Sequence, residues 1–224
     1  MADQSAELDW RDGTPVSTRF DDPYFSLENG LAETRHVFLT GNGLPERYCD
    51  GFRIAELGFG TGLNLLAALD LWRQSGQTGT LHFTTFEAYP LTPEQMIRAQ
   101  EAFPALGPLA QELAPHWGQR RFALPDLSFE MIEGDARDTL PEWTGTVDAW
   151  FLDGFSPAKN PELWNADLMA QVARHMAPGA TAATYTAAGH VRRALSAAGL
   201  EVTRVPGYGR KRHMTLAANP MPAA

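Results

Sequence analysis

Cysteine occurs once, at Cys49. That excludes an internal disulfide and any zinc site built from several cysteines, and it suits a reducing compartment. No apolar stretch reaches the ~18 residues of a membrane helix. The opening MADQSAELDWRD has neither a basic patch nor an apolar run, so no signal peptide is expected. The six histidines show no metal-ligand spacing, so no metal is expected. There is no repeat and no low-complexity tract. Together these absences point to a cytoplasmic protein.

What is present suffices for a folded domain. The chain has 224 residues, 44% of them hydrophobic and 20% charged. That fits one compact α/β domain, or a domain with a small appendage. The net charge of −9 argues against a nucleic-acid partner when taken alone. Its distribution is uneven. From His190 to His213 there are six cations, Arg192, Arg193, Arg204, Arg210, Lys211 and Arg212, against the single acid Glu201. That segment is +5, which leaves −14 for the rest. It either aims a polyanion at one face or is a solvated surface.

The ends, 1–9 and NPMPAA, read as frayed. Residues 8–27 are rich in turn formers and suggest a small hairpin. LENGLAETRHVFLTGN reads as a helix stopped by Gly41. From residue 53 strands alternate with helices. RIAELGF, TLHFTTFEAY, LSFEMIEG, VDAWFLDGF and ATAATYTAA are strand-like. GLNLLAALDLWRQSG, TPEQMIRAQEAF, ARDTLPEW, NPELWNADLMAQVARHM and GHVRRALSAAGL are helical, as is a stretch running to about His116. Thr92, Pro93 and Gln95 form a helix start, and Asn160 with Pro161 a second one, ended by Gly179. EVTRVPG and RHMTLAAN read as an antiparallel closing pair. The alternation implies βαβ units and a mostly parallel sheet.

ELGFGTGLN (56–64) joins the first of these strands to its helix. Gly58, Gly60 and Gly62 allow a sharp turn and close approach to a ligand. The G-x-G-x-G spacing, with Glu56 ahead of it, is that of S-adenosylmethionine-dependent methyltransferases. It differs from the dinucleotide fingerprint and from a P-loop. The alternative is an ordinary tight βα turn. Glu87, ending the second strand, is placed to accept from ribose hydroxyls. Asp135 and the Ala136 N–H, ending the third, are placed for an adenine ring. Asp153 ends the fourth, where the methyl group meets its acceptor. Each acid alone also fits a helix cap. Three acids on one carboxyl-end rim fit a ligand better.

FLDGFSPAKNPELW (151–164) resembles the signature of the MnmC/MnmD family, methyltransferases of the tRNA wobble uridine. The likeness runs along the chain, through GTPVSTRFDDPYFSLENGLAETRHVFLTGN, ELGFGTGLN, FEAYPL, GDAR and GYGRKRHM. It implies a Rossmann-like class I methyltransferase fold: a mostly parallel seven-stranded sheet with an antiparallel last strand. The expected division is an N-terminal hairpin and helix extension over 1–50, a catalytic domain over 51–219 and a tail over 220–224.

The resemblance implies N-methylation of 5-aminomethyl-(2-thio)uridine at tRNA position 34, with S-adenosyl-L-methionine as donor. The cofactor set is then Glu56, Gly58, Phe59, Gly60, Gly62, Asn64, Glu87, Asp135, Ala136 and Asp153. Asp153 is also the expected catalytic group. Tyr24, Pro157, Lys159, Asn160, Arg192, Arg193, Arg210, Lys211 and Arg212 are candidates for the tRNA anticodon loop. Phe20 or Tyr24 is expected to stack over the cofactor. Asp22 is either part of that fold-over or only a turn former, and Lys159 meets either a phosphate or solvent. Arg192 and Arg193 are expected nearer the pocket than the 210–212 turn.

In many relatives an FAD-dependent oxidase follows. No second dinucleotide motif occurs in this chain, so no FAD is expected. The chain reads as a stand-alone methyltransferase or as the first domain of a longer protein, with a separate oxidase as one source of substrate. Competing readings are a methyltransferase with a small-molecule or protein acceptor, and a non-catalytic cofactor-binding module.

Overall fold

The computed structural model describes residues 6–26 and 28–221. The outermost residues expected to fray, 1–5 and 222–224, lie outside them. At the N-terminal side, β1 (Leu8–Arg11), β2 (Thr14–Ser17) and β3 (Asp22–Pro23) form a small antiparallel sheet. The hairpin thus begins inside the stretch expected to fray. The helix expected next is shorter. α1 spans Gly30–Thr34, capped by Asn29, and passes into a π-helical turn (Arg35–Leu39) and a 3-10 turn (Thr40–Asn42). The segment ends at Gly43 rather than at Gly41.

The main sheet is built from β4 (Arg53–Leu57), β5 (Leu81–Glu87), β6 (Arg121–Leu124), β7 (Leu127–Glu133), β8 (Val147–Leu152), β9 (Met176–Thr184), β10 (Glu201–Pro206) and β11 (His213–Ala218). Their order is β10-β11-β9-β8-β4-β5-β7-β6. The five central strands run parallel, and β11 is antiparallel to both β9 and β10. β6 is an added antiparallel edge strand on β7, which makes eight strands where seven were expected.

The connecting helices are α2 (Leu63–Gln74), α3 (Pro93–Gln100), α4 (Gly107–Leu113), α5 (Ala136–Glu142), α6 (Ala166–Arg174) and α7 (Gly189–Ala197). Thr92 and Gln95 form a reciprocal capping box at α3. The expected Asn160 cap does not form. Pro161–Trp164 is a 3-10 turn, and Asn165 caps α6 by accepting from the Leu168 N–H at 2.8 Å. Gly179 lies inside β9 instead of ending that helix.

Side chains alternate across a strand, so each central strand feeds two cores. Ile54, Phe83, Ala149 and Phe151 face one core with Leu65, Leu66, Leu69 and Trp72 of α2. Ala55, Phe86, Trp150 and Leu152 face the other, with Leu168, Met169 and Val172 of α6. Residues of the N-terminal segment, among them Val37, Phe38, Leu39 and Phe52, are buried in the α2-side core. Arg47 ties that segment to the sheet. Its guanidinium donates to the carbonyls of Asn42 (2.9 Å), Asp148 (2.9 Å) and Gly179 (3.2 Å). The α2-side face is therefore covered by α2 and the N-terminal segment together.

Candidate active site

The parity that fills the α2-side core also places polar groups there. Glu56 shares its face with Ile54, and its neighbour in the parallel register is Thr85. Glu87 lies two residues further along that face. Asp153 follows Phe151 with the same parity. At the carboxyl end of the sheet these residues meet a cavity of about 1350 Å³, whose walls include Gly58, Gly60, Glu87, Asp135, Asp153 and Tyr185.

The glycine loop fits a close-packed cradle. Gly58 has φ +80°, and a Cβ there would come 3.1 Å from the Gly154 Cα. Gly60 has φ +53°, and a Cβ would meet the Tyr24 ring at 3.2 Å. Side chains at these positions would be both strained and obstructive. Glu87 holds the loop: Oε2 accepts from the Gly60 N–H at 3.0 Å and Oε1 from the Tyr89 N–H at 2.8 Å. Burial raises the Glu87 pKa, and the backbone N–H donors oppose that rise.

Glu56 is fully buried and does not line the cavity. Its carboxylate accepts from Asn64 Nδ2 at 2.8 Å and from Thr85 Oγ1 at 2.9 Å. Burial raises its pKa well above the usual carboxylate range. Asn64 Nδ2 donates also to Asp153 Oδ2, at 2.8 Å, while the Gly154 N–H donates to Asp153 Oδ1 at 2.8 Å. Desolvation pushes Asp153 up to about 6, against the pull of these donors and of Lys211.

Asp135 serves as the cap of α5. It accepts from the Arg137 N–H at 2.9 Å and pairs with the Arg137 guanidinium, which lowers its pKa. Ala136 follows at the cavity wall, as do Phe59 and Asn64. Gly62 is the residue before α2 and is not in the wall.

The N-terminal segment closes one side. Phe20 stacks on Phe155 at 4.8 Å, and Tyr24 meets Phe155 edge-on at 5.1 Å. Asp22 is more than a turn former, because its Oδ2 accepts from the Ser156 N–H at 2.8 Å. Lys159 is exposed at the cavity wall, and its ammonium pairs with Asp21 at 3.3 Å. Asn160 lines the cavity and Pro157 does not.

The expected placement of the basic residues is reversed. Arg210 and Lys211 line the cavity, whereas Arg192, Arg193 and Arg212 do not. The reason is topological. β10 runs parallel to β9, so its C-terminal loop returns to the ligand-binding rim. Arg210 pairs with Glu28 at 2.8 Å and Lys211 with Glu33 at 2.7 Å. Lys211 also lies 4.0 Å from the Tyr185 ring centre. Sequence reasoning passed over Tyr185, whose hydroxyl donates to the Gly154 carbonyl at 2.8 Å. A lone aromatic among the small residues of TAATYTAA was its signal. It also passed over Thr34 and Thr85, which carried no signal. Among the described residues no His, Cys, Asp and Glu group could hold a metal, and no helix is long and apolar enough to cross a membrane.

The family described as S-adenosyl-L-methionine-dependent methyltransferase matches residues 104–220, just over half of the chain. The chain belongs to that family. The glycine cradle and the Glu87 carboxylate fit the cofactor that the family's description names.

Among curated proteins, the tRNA 5-methylaminomethyl-2-thiouridine biosynthesis bifunctional protein MnmC of Caulobacter sp. (strain K31) is 48% identical, over 100% of this chain and 40% of its own length. The protein of the same name from Pseudomonas fluorescens Pf-5 is 48% identical over 92% of this chain and 33% of its own. The chain thus spans well under half of these relatives. The crystal structure of MNMC2 from Aquifex aeolicus superposes with a TM-score of 0.76 at 26% identity, covering 100% of this chain and 74% of that one. A methyltransferase from Pyrococcus furiosus (TM-score 0.51, 12% identity, 96% of this chain and 90% of that one) shares the fold.

Proposed function

We propose that this methyltransferase N-methylates the primary amine of 5-aminomethyl-(2-thio)uridine at tRNA wobble position 34, giving the 5-methylaminomethyl form. The observation that carries the reading is Asp153, a desolvated carboxylate at the cavity wall, opening the loop whose sequence resembles the tRNA-modifying family. The name of the MnmC relatives, which this chain resembles along its whole length, supplies the substrate class. A tRNA-bearing, reducing cytoplasm suits the reading. The aminomethyl group would come from a separate reaction, for which an FAD-dependent oxidase is one source.

The bound cofactor would supply an electrophilic sulfonium methyl group. Gly58 and Gly60 would let the backbone approach it, and Glu87 would accept from its ribose hydroxyls with the lone pairs that the Gly60 and Tyr89 N–H groups leave free. Phe59, Ala136 and Asp135 form the wall for its adenine. The wobble base would leave its stack to reach Asp153.

An amine like lysine is protonated at neutral pH and must lose that proton before attack. On reference values a direct transfer to aspartate is about 9 kcal/mol uphill. With Asp153 near 6 the deficit falls to about 6 kcal/mol. That is still too large for simple proton abstraction. The amine instead loses its proton to water. Asp153 then accepts a hydrogen bond from the neutral amine, aims its lone pair, and stabilises the positive charge developing on nitrogen.

Arg192, Arg193 and Arg212 are candidates for tRNA phosphates outside the cavity, with Arg210 and Lys211 at its mouth. A second reading, a small-molecule or protein acceptor, is favoured by one observation: Lys159, Arg210 and Lys211 are already paired with acids of this chain. Incubation with hypomodified tRNA and S-adenosylmethionine, followed by mass spectrometry of wobble nucleosides, separates the two. Conversion of the aminomethyl to the methylaminomethyl nucleoside is expected. Cofactor binding with no conversion would overturn the tRNA reading.

A further inference from the structure

Asp153 does not stand alone at the cavity wall. Behind it runs a chain of buried polar groups that the methyl-transfer chemistry does not itself use. The Thr34 hydroxyl, at the end of α1, donates to Asn64 Oδ1 at 3.0 Å. Asn64 Nδ2 donates at 2.8 Å to both Glu56 Oε1 and Asp153 Oδ2. Thr34 and Asn64 are each 5% exposed and Glu56 is 0% exposed. An amide side chain can present either its oxygen or its nitrogen to a neighbour. A hydroxyl donor on the oxygen side and carboxylate acceptors on the nitrogen side favour the same choice. Once Thr34 donates to Oδ1, both amide protons point at the two carboxylates. The carboxylates favour the same orientation, since a flip would aim Oδ1 at them; without Thr34 the buried Oδ1 would lose the donor that anchors the other end of the amide.

We infer that Thr34 is a positioning residue for methyl transfer, acting through the Asn64 amide to hold the Asp153 carboxylate at the geometry and charge that the acceptor amine meets. The inference rests on the proposed role of Asp153 above. It assigns the N-terminal segment a part in the chemistry beyond covering the cavity, because α1 supplies the outermost link. Loss of the Thr34 donor loosens the Asn64 hydrogen bond to Asp153. The ionised form is then less favoured, so Asp153 titrates at higher pH. The ionisable groups facing Asp153 are Glu56 from β4, Glu33 from α1, Lys211 from the β10–β11 loop and Tyr185 after β9. A substitution at position 34 removes none of them.

The test uses Thr34→Val, which keeps the shape and removes the hydroxyl, with Thr34→Ser as the conservative restoration and Thr34→Ala in case valine packs badly. Carboxyl-carbon NMR on the cofactor-free protein follows the Asp153 titration without any substrate. In Thr34→Val the midpoint should rise by roughly 0.5–1 unit, the equivalent of one weakened hydrogen bond. Thr34→Ser should return to the wild-type value. Turnover of hypomodified tRNA should fall about 5- to 10-fold in Thr34→Val, with cofactor affinity and tRNA KM within about 2-fold, as expected for a contact that matters only in the transition state. An unmoved midpoint in folded Thr34→Val and Thr34→Ala would overturn the relay. So would a loss confined to cofactor affinity. A wild-type protein that does not methylate the wobble nucleoside would instead overturn the tRNA reading, and the NMR titration would still decide the relay.

Discussion

Replacing Asp153 by Asn separates the burden this carboxylate places on folding from its use in turnover. Desolvation raises Asp153 from an unfolded value near 3.8 to about 6. For a raised carboxylate the linkage sign is the reverse of the common case. The unfolded chain gives up the proton first, so the contribution favours folding below about pH 4, declines as pH rises from about 4 to 6, and then stays level. Two units correspond to at most about 3 kcal/mol. Asp153 borders an open cavity, and water there screens the charge, so about half of that is a fairer figure.

The Asn variant carries no such slope. It does lose one hydrogen bond, because its amide N–H₂ meets that of Asn64, at a pH-independent cost of about 1 kcal/mol. Urea unfolding of the cofactor-free proteins followed by tryptophan fluorescence reads the difference. Stability of the variant relative to wild type should rise by about 1–2 kcal/mol between about pH 4.5 and pH 8. Glu56 and Glu87 are also raised by burial, but they are present in both proteins and largely cancel. At the same time turnover should fall by about 10²- to 10³-fold, as when a stabiliser of developing charge is removed, while cofactor affinity stays within about 3-fold, a gap worth under 1 kcal/mol. Parallel stability profiles would refute the buried-charge argument. Wild-type turnover in the variant would refute the functional one.

Gly58→Ala should abolish measurable cofactor binding by calorimetry and lower stability by about 1–3 kcal/mol, because the new Cβ meets backbone at φ +80°. Glu87→Ala removes the acceptor for the Gly60 and Tyr89 N–H groups and the proposed ribose partner; cofactor affinity should drop at least about 30-fold, some 2 kcal/mol. Arg73 joins Glu112 of α4 to Asp126 of the β6–β7 turn, and both carboxyl pKa values are held down chiefly by its hydrogen bonds. Arg73→Ala should therefore cost about 1 kcal/mol near neutral pH, and the difference from wild type should shrink below about pH 4 as these acids protonate, or in high salt, in urea titrations.

Much of this site follows from strand parity, which can be read from the chain. Glu56 lies two residues after Ile54, Glu87 two after Thr85, and Asp153 two after Phe151, so apolar periodicity already assigns all three to one face. The parallel strands and the glycine turn follow from composition and spacing in the same way, because both are local. β6 escaped notice for an equally local reason: RFAL is four residues long and joined to its partner by only Pro125 and Asp126. Asn160 and Asn165 both resemble helix caps in sequence, and the choice falls to Asn165 because Pro161–Trp164 winds too tightly to continue as α-helix. The ion pairs are different in kind. Lys159 with Asp21 and Lys211 with Glu33 join residues more than 130 positions apart, and no spacing rule reaches that far. The mistaken placement of residues 210–212 has the same origin. Their position depends on β10 running parallel to β9 with β11 inserted between them, which is a property of the sheet order. That order carries the cations to the rim, where Glu33 of α1 and Glu28 just before it meet them. Thr34 lies in the same helix and reaches Asn64 by the same packing, so Asp153 is held from two directions: the FLDGF motif supplies the Gly154 N–H, and Asn64, backed by Thr34, supplies a donor that the motif does not contain.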